Sequence, residues 1–193
     1  MSGRTQIRLS GGELRGRVLV GPPRARPTEA RVREALFSIW QHVVRGARFL
    51  DLFAAGGAVG LEALSRGAAE VWMIDSDPRA VRCIEENCQR LEVDNAHWQR
   101  VSLPGGLSSL AERVGAFDLV FADPPYAFAD YERLLASSAA LMRADGVLAI
   151  EHSARGRLPE RVGTLVRTDE RRWGETAISF YRPAVEVVDQ PPR

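Results

Sequence analysis

Cysteine is nearly missing from this sequence. The two present in 193 residues, Cys83 and Cys88, lie five apart on an expected helix, which turns them to different sides. That excludes a disulfide framework and does not match a zinc-ligand pattern; a reducing cytoplasm fits. No apolar run approaches the ~18 residues that a membrane-spanning helix needs. The opening MSGRTQIRLS lacks the apolar core of a signal peptide. Only three histidines occur, His42, His97 and His152, scattered without metal-ligand spacing, so no metal site is expected. Structural roles are expected for them. His152 stands apart, because AIEH closes a predicted strand on the same edge as the candidate site.

Lysine is absent altogether: all 26 basic residues are arginine. Codon usage alone can produce that uniformity, but not the placement. Residues 1–33 hold eight arginines against Glu13 and Glu29, a net of +6, while the whole chain carries +1, which leaves −5 for the rest. A basic N-terminal arm on a mildly acidic body points to a polyanionic partner.

What is present reads as one domain with a small appendage. The composition, 45% apolar and 26% charged, is ordinary for a globular domain of this length. Alternation over 6–20, QIRLSGGELRGRVLV, predicts a small β-hairpin. Ile7 and Leu9 take one face of its first strand; Leu14, Val18 and Val20 share a face of the second, with Arg15 and Arg17 opposite. GPPRARP is a stiff connector. Thr28 is placed to cap a helix with Glu29 in its first turn. Val32, Leu36, Ile39, Trp40 and Val43 recur at helical spacing and should face the core, with Arg31 and Arg33 off that stripe.

From Arg48 onward strand and helix alternate. RFLDLFA, EVWMID, AHWQRV, FDLVFAD and VLAIEH read as strands. Between them come the glycine turn and short helix of GGAVGLEALSRG, and a helix capped by Asp77 with Pro78 in its first turn, burying Val81, Ile84, Cys88 and Leu91. A further helix, DYERLLASSAALMRADG, should end at Gly146. TLVRTDERRW and TAISFYRP form a closing antiparallel hairpin. The expected fold is α/β: a doubly wound, mostly parallel, seven-stranded Rossmann-like sheet with a small N-terminal β-hairpin and helix extension. The divisions expected are an arm over 1–27, a main domain over 28–183, and a frayed tail over 184–193.

In such a sheet, ligands sit beyond the carboxyl ends of the strands, near the switch point. Three features fall there. LDLFAAGGAVG closes the first strand, and glycines 56, 57 and 60 allow a tight turn and a close ligand approach. The helix behind it presents N–H groups. Asp75 ends the next strand, where a carboxylate can accept both hydroxyls of a ribose. Together these indicate a nucleoside-containing cofactor, without choosing between a dinucleotide and S-adenosylmethionine (SAM).

The third feature, DPPY at Asp123, Pro124, Pro125 and Tyr126, makes the choice. Two prolines remove backbone donors and Asp123 adds an acceptor-only carboxylate. Crowded acceptors suit an exocyclic amino group, whose two hydrogens they can pin. That takes the nitrogen lone pair out of conjugation with its ring and frees it to attack a methyl sulfonium by orientation and electrostatics. Tyr126 offers a flat face for an unstacked base.

DPPY with the upstream DLFAAGGAVGLEALSRGA resembles the class I SAM-dependent amino-methyltransferases. With IRLSGGELRGR and ARPTEARVREALFSI added, the resemblance is to the bacterial small-subunit ribosomal RNA methyltransferase D group, over about Ile7 to Tyr181. It implies methylation of N2 of a guanine in a hairpin loop of 16S rRNA. The expected substrate is an assembled or late-assembling 30S subunit, and the expected enzyme a cytoplasmic monomer. SAM is the implied cofactor. Asp51, Leu52, Phe53, Ala54, Ala55, Gly56 and Gly57 would contact its methionine half and Asp75 its ribose, with Ser76 also counted among the cofactor-binding residues. Asp123 to Tyr126 would hold the guanine amino group. Three departures stand out: Ala55-Gly56-Gly57 replaces Gly-Ser-Gly, Asp75 replaces Glu, and Ser102 or backbone alone must meet the adenine where an acid or amide is usual. The arm's Arg8, Arg15, Arg17, Arg24, Arg26, Arg31 and Arg33 are the expected RNA contacts.

Two other readings remain open at this level. A DNA amino-methyltransferase acting on adenine N6 or cytosine N4 shares DPPY, but 193 residues leave no room for a target-recognition domain. A non-catalytic RNA-binding module with a decayed SAM pocket would follow from Ala55 and the missing acid.

Overall fold

The computed structural model describes residues 4–22 and 30–184. Thr28, Glu29, most of the GPPRARP connector and the tail from 185 lie outside the described residues, as do Arg24 and Arg26.

Strands β1 (Thr5–Arg8) and β2 (Val18–Gly21) pair antiparallel as a two-stranded sheet. Helix α1 (Ala30–Ile39) follows. The main sheet is built from β3 (Arg48–Leu52), β4 (Glu70–Asp75), β5 (Ala96–Arg100), β6 (Phe117–Ala122), β7 (Met142–Ser153), β8 (Arg161–Val162), β9 (Leu165–Trp173) and β10 (Thr176–Pro183). Helices α2 (Ala58–Ser65), α3 (Pro78–Leu91), α4 (Leu107–Val114) and α5 (Tyr131–Ser138) connect them. The order across the sheet is β5-β4-β3-β6-β7-β10-β9-β8. The pairs from β5 to β7 are parallel, and those involving β8, β9 and β10 are antiparallel. This is the doubly wound, mixed sheet expected, with one short added strand, β8.

Alternation along the strands feeds two cores. Phe49, Val71, Met73, Leu119 and Phe121 pack with α1, α2 and α3 on one face, and Leu50, Leu52, Ile74, Val120 and Leu148 with α4 and α5 on the other. Chain direction reverses its winding at β3, which is flanked by β4 and β6. The switch point, and hence the ligand crevice, lies at the ends of β3 and β6. No helix of the described residues is long and apolar enough to cross a membrane.

Several local expectations need correction. In the hairpin, Leu19 is the buried residue opposite Ile7, while Val18 and Val20 are only partly covered. An irregular loop with left-handed Gly12 and Gly16 separates the strands, so the face shifts by one residue. The buried stripe of α1 is Val32, Arg33, Leu36, Phe37 and Trp40, while Ile39 and Val43 are exposed. Cys83 and Cys88 are both buried, because α3 is covered on one side by β2 and on another by the main sheet. Helix α5 ends at Ser138, followed by a single 3₁₀ turn, and Gly146 belongs to β7. There β7 slips register beside Phe117, and a Cβ on Gly146 would lie 3.1 Å from the Phe117 carbonyl. Helix α4 is an addition to the expected elements, although Leu107, Leu110, Ala111 and Val114 recur at helical spacing.

Candidate active site

Four neighbouring parallel strands run in register toward one edge of the sheet. Leu52 pairs with Ile74 and with Ala122, and Ala122 pairs with Ile150. The next residues, Asp75, Phe53, Asp123 and Glu151, therefore stand in a row, about 4.8 Å from strand to strand, Asp75 and Glu151 still paired in the sheet. All four line one cleft of about 650 Å³, a size suited to a cofactor.

The turn after β3 is strained and held. Phe53 and Ala55 adopt left-handed φ of 61° and 50°, unfavourable for residues with a Cβ. The Ala54 N–H donates to the Ile74 carbonyl (3.1 Å), the Gly57 N–H to the Ala54 carbonyl (2.7 Å), and the Ala55 N–H to Asp75 Oδ2 (2.8 Å). Asp75 Oδ1 accepts the Asp77 N–H at 2.8 Å. Each oxygen keeps a second lone pair, so Asp75 can still take two hydroxyls. Asp77 caps α3, as expected.

Gly56 is required by close approach. A Cβ there would lie 2.9 Å from the Val20 carbonyl oxygen and 3.0 Å from Gly21 Cα. Strand β2 thus packs directly on the turn, and Thr5, Ile7, Gly21 and Pro22 form one wall of the cleft. Asn87 clamps this junction: Nδ2 donates to the carbonyls of Val20 and Gly56, both at 2.8 Å, and Oδ1 accepts the Val20 N–H at 2.9 Å. Its place on the buried side of α3 was visible in the helical period; its two partners were not.

Asp51 lies beneath the turn, 2% exposed, and accepts the Gly60 N–H at 2.9 Å. Burial pushes its carboxyl from 3.8 up to about 8, and the charges of Asp123 and Asp75 push the same way against the Gly60 hydrogen bond. Leu52 is a core residue whose carbonyl accepts the Asp123 N–H at 3.3 Å. Gly57 sits below the turn, where a Cβ would meet Met73 Sδ at 2.8 Å. No side chain caps the start of α2, and Ala58 and Val59 there line the cleft. Ser76 also lines it. Ser102 is exposed and turns its carbonyl to the Gly106 N–H, and Leu103 stands on the cleft wall instead.

At the end of β6, Pro124 is buried, Pro125 is exposed, and Tyr126 is 62% exposed. The Phe128 N–H donates to the Pro125 carbonyl at 2.7 Å, which closes the turn and occupies one of that oxygen's two lone pairs. The Asp123 carboxylate and the Pro124 carbonyl are the candidates for holding an amino group. His152, whose imidazole burial keeps below its ordinary range, places its ring nitrogens 2.9 Å from the Ser153 carbonyl and 2.9 Å from Ser179 Oγ. Both ring nitrogens of the histidine that stood apart in the sequence are thus engaged within the fold.

The arginines divide. Arg8, Arg15, Arg17 and Arg31 are exposed. Arg33 is not: it is 1% exposed, pairs with buried Glu62 at 3.4 Å, and donates to the Arg8 carbonyl at 2.8 Å. Expected on the RNA surface, it is instead a strut between arm and body, because α1 is rotated toward the arm. Arg17 donates to the Arg90 carbonyl at the last turn of α3 (2.9 Å), and the Glu13 N–H donates to the Ser65 carbonyl at the end of α2 (2.8 Å). Both contacts lie at the end of the sheet opposite the cleft. With α3 running 14 residues between them, the hairpin tip is about 20 Å from the cleft.

Residues 7–182 match the model of the family described as Conserved hypothetical protein 95, which holds the small-subunit rRNA methyltransferases D. The chain belongs to this family. It is 43% identical over 127 residues to the Ribosomal RNA small subunit methyltransferase D of Escherichia coli K12, covering 65% of this chain and 63% of that protein. It is 34% identical to Bacillus subtilis YlbH over 91% of this chain and 98% of YlbH, whose name provisionally assigns it rRNA methylation. Among solved structures, E. coli yhhF superposes with a TM-score of 0.81 at 31% identity, over 93% of this chain and 99% of that one. A hypothetical protein of Thermus thermophilus superposes at 0.78 with 35% identity, over 91% and 99%. The family's sheet is therefore the frame on which the Asp75–Phe53–Asp123–Glu151 row is carried.

Proposed function

We propose that the protein transfers a methyl group from SAM to the exocyclic N2 of a guanine in 16S rRNA, in assembled or late-assembling 30S subunits of the cytoplasm. The observation that carries this is the row Asp75, Phe53, Asp123 and Glu151 along one cleft, with acceptors gathered where the second nucleotide would lie. The names of the relatives support the substrate.

The residues fit SAM. Gly56 keeps the turn low, Asp75 has lone pairs for a ribose, and the uncapped start of α2 suits a carboxylate. Asp51, Asp75 and Asp123 surround the space with acid groups, which suits a ligand carrying a sulfonium and an ammonium. Bound there, SAM supplies an electrophilic methyl group. The Asp123 carboxylate and Pro124 carbonyl accept the two amino hydrogens and leave the nitrogen lone pair free of its ring. Tyr126 stacks on the extruded base. Arg8, Arg15, Arg17 and Arg31 contact rRNA phosphates, and because the hairpin tip lies at the far end of the molecule the footprint on the subunit extends well beyond the target loop.

The test uses small subunits from cells lacking the gene, methyl-labelled SAM, and mass spectrometry of the digested RNA. Label in N2-methylguanosine supports the reading. Label in another amino-methylated base, or in duplex DNA only, overturns it. Asp123→Ala should abolish transfer while calorimetry still detects SAM binding; loss of both would assign Asp123 a structural role.

A further inference from the structure

Beside the cofactor-sized cleft lies a second hollow of about 190 Å³. The two share Asp123, Pro124, Tyr126, Phe128 and Glu151, which form the partition between them. Phe128 stands edge-on to Phe53 at 5.5 Å and to Tyr131 at 5.1 Å, so one side of the hollow is a fixed aromatic wall. Arg157 and the end of β7 complete it. The hollow joins flat apolar walls to two carboxylates, which suits an extruded base entered edge-first.

The register of the two residues sets their carboxylates on neighbouring strand positions. Asp123 and Glu151 follow the paired residues Ala122 and Ile150 on adjacent parallel strands, one strand spacing of about 4.8 Å apart. Two carboxylates side by side match two neighbouring donors on a base edge. Guanine has them: its 2-amino group sits next to the N1–H. Adenine and cytosine also carry amino groups, but each lies next to a bare ring nitrogen, an acceptor. Uracil has no amino group.

We infer that Glu151 is a specificity-determining residue, which accepts the N1–H of the guanine whose N2 is held at Asp123 and rejects bases that turn a lone pair toward it. This rests on the guanine-N2 reading and adds to it the means by which guanine is told from the other amino-bearing bases. A carboxylate facing a bare ring nitrogen leaves two desolvated acceptors opposed, and sites that pair with a substrate N–H reject analogues lacking it strongly.

The probe is 2-aminopurine, which keeps the 2-amino group but has a bare N1. Splinted ligation places it at the accepting position of the small-subunit RNA, which is then reassembled with its proteins. Single-turnover methylation is measured for guanosine and 2-aminopurine, with SAM affinity read by calorimetry. The unaltered protein should favour guanosine by about 100-fold or more. Glu151→Gln should slow guanosine methylation about tenfold or more and bring the two substrates within about tenfold, because the amide can donate to a bare N1. SAM affinity should be unchanged. A guanosine preference that persists in Glu151→Gln overturns the inference, as does a loss of SAM binding in that variant. Glu151→Asp guards against misfolding as an explanation: it should methylate more slowly yet keep the preference, and loss of preference there also overturns it. Failure to form N2-methylguanosine on native subunits would instead remove the underlying reading.

Discussion

Asp51 should make the folded protein lose stability as pH rises from 5 to 8. Its carboxyl titrates near 3.8 when unperturbed and about 8 in the fold. Between those values the folded state holds a proton that the unfolded chain has released. The stabilisation tied to that proton is complete below the unfolded value and disappears as pH climbs through the folded one. Each unit in that window costs at most about 1.4 kcal/mol. Water in the adjoining cleft softens this, so about 2–4 kcal/mol is expected between pH 5 and 8. Urea unfolding of the wild type and Asp51→Asn across that range measures it. The amide oxygen can still accept the Gly60 N–H, but it has no proton to lose. All other titrating groups are common to both proteins and cancel in the difference. The difference should move in favour of the Asn variant by that amount as pH rises. A difference flat to within about 0.5 kcal/mol would mean that the carboxyl ionises at its ordinary range despite burial, and the reasoning would fail. The same proton should depart when SAM, with its sulfonium and ammonium, binds beside it. Calorimetry at pH 7 in two buffers of different ionisation enthalpy would detect the release, and identical heats would contradict it.

The other predictions concern the arm. Arg33→Ala should cost about 3–5 kcal/mol of stability by leaving Glu62 buried without that partner, yet leave the salt dependence of RNA binding unaltered; a flattened slope would return Arg33 to the RNA surface. Arg15→Ala combined with Arg17→Ala should lower the salt slope by about 2 with little effect on melting, and an unchanged slope would remove the hairpin tip from the footprint. Asn87→Ala should cost about 1–3 kcal/mol and weaken SAM binding, since it releases the wall formed by Gly21 and Pro22. Unchanged SAM affinity would show that the clamp matters for folding only.

Much was legible without coordinates because it depends on neighbours in the chain. Apolar runs bounded by turns marked the seven main strands. Asp77 with Pro78 marked a helix start. The glycine turn, Asp75 and DPPY could be placed at strand ends, and the doubly wound topology then sent all three to one edge. Residues near each other in sequence carry their own geometry, through φ limits, capping and period.

What the chain could not disclose is which surfaces meet. Arg33 and Arg31 differ little in local pattern, yet one is a buried strut and the other exposed, because the arm packs on one side of α1. Glu151 reads as an ordinary strand residue until β7 is set beside β6 and brings it level with Asp123. Asn87 gains its role only when β2 lies across Gly56. The raised Asp51 carboxyl has the same origin, since burial and the nearness of Asp75 and Asp123 arise from strands far apart in the chain. Local patterns determined the elements and the chemistry at their ends; long-range register and packing decided which groups share one cleft, because burial and charge act through space.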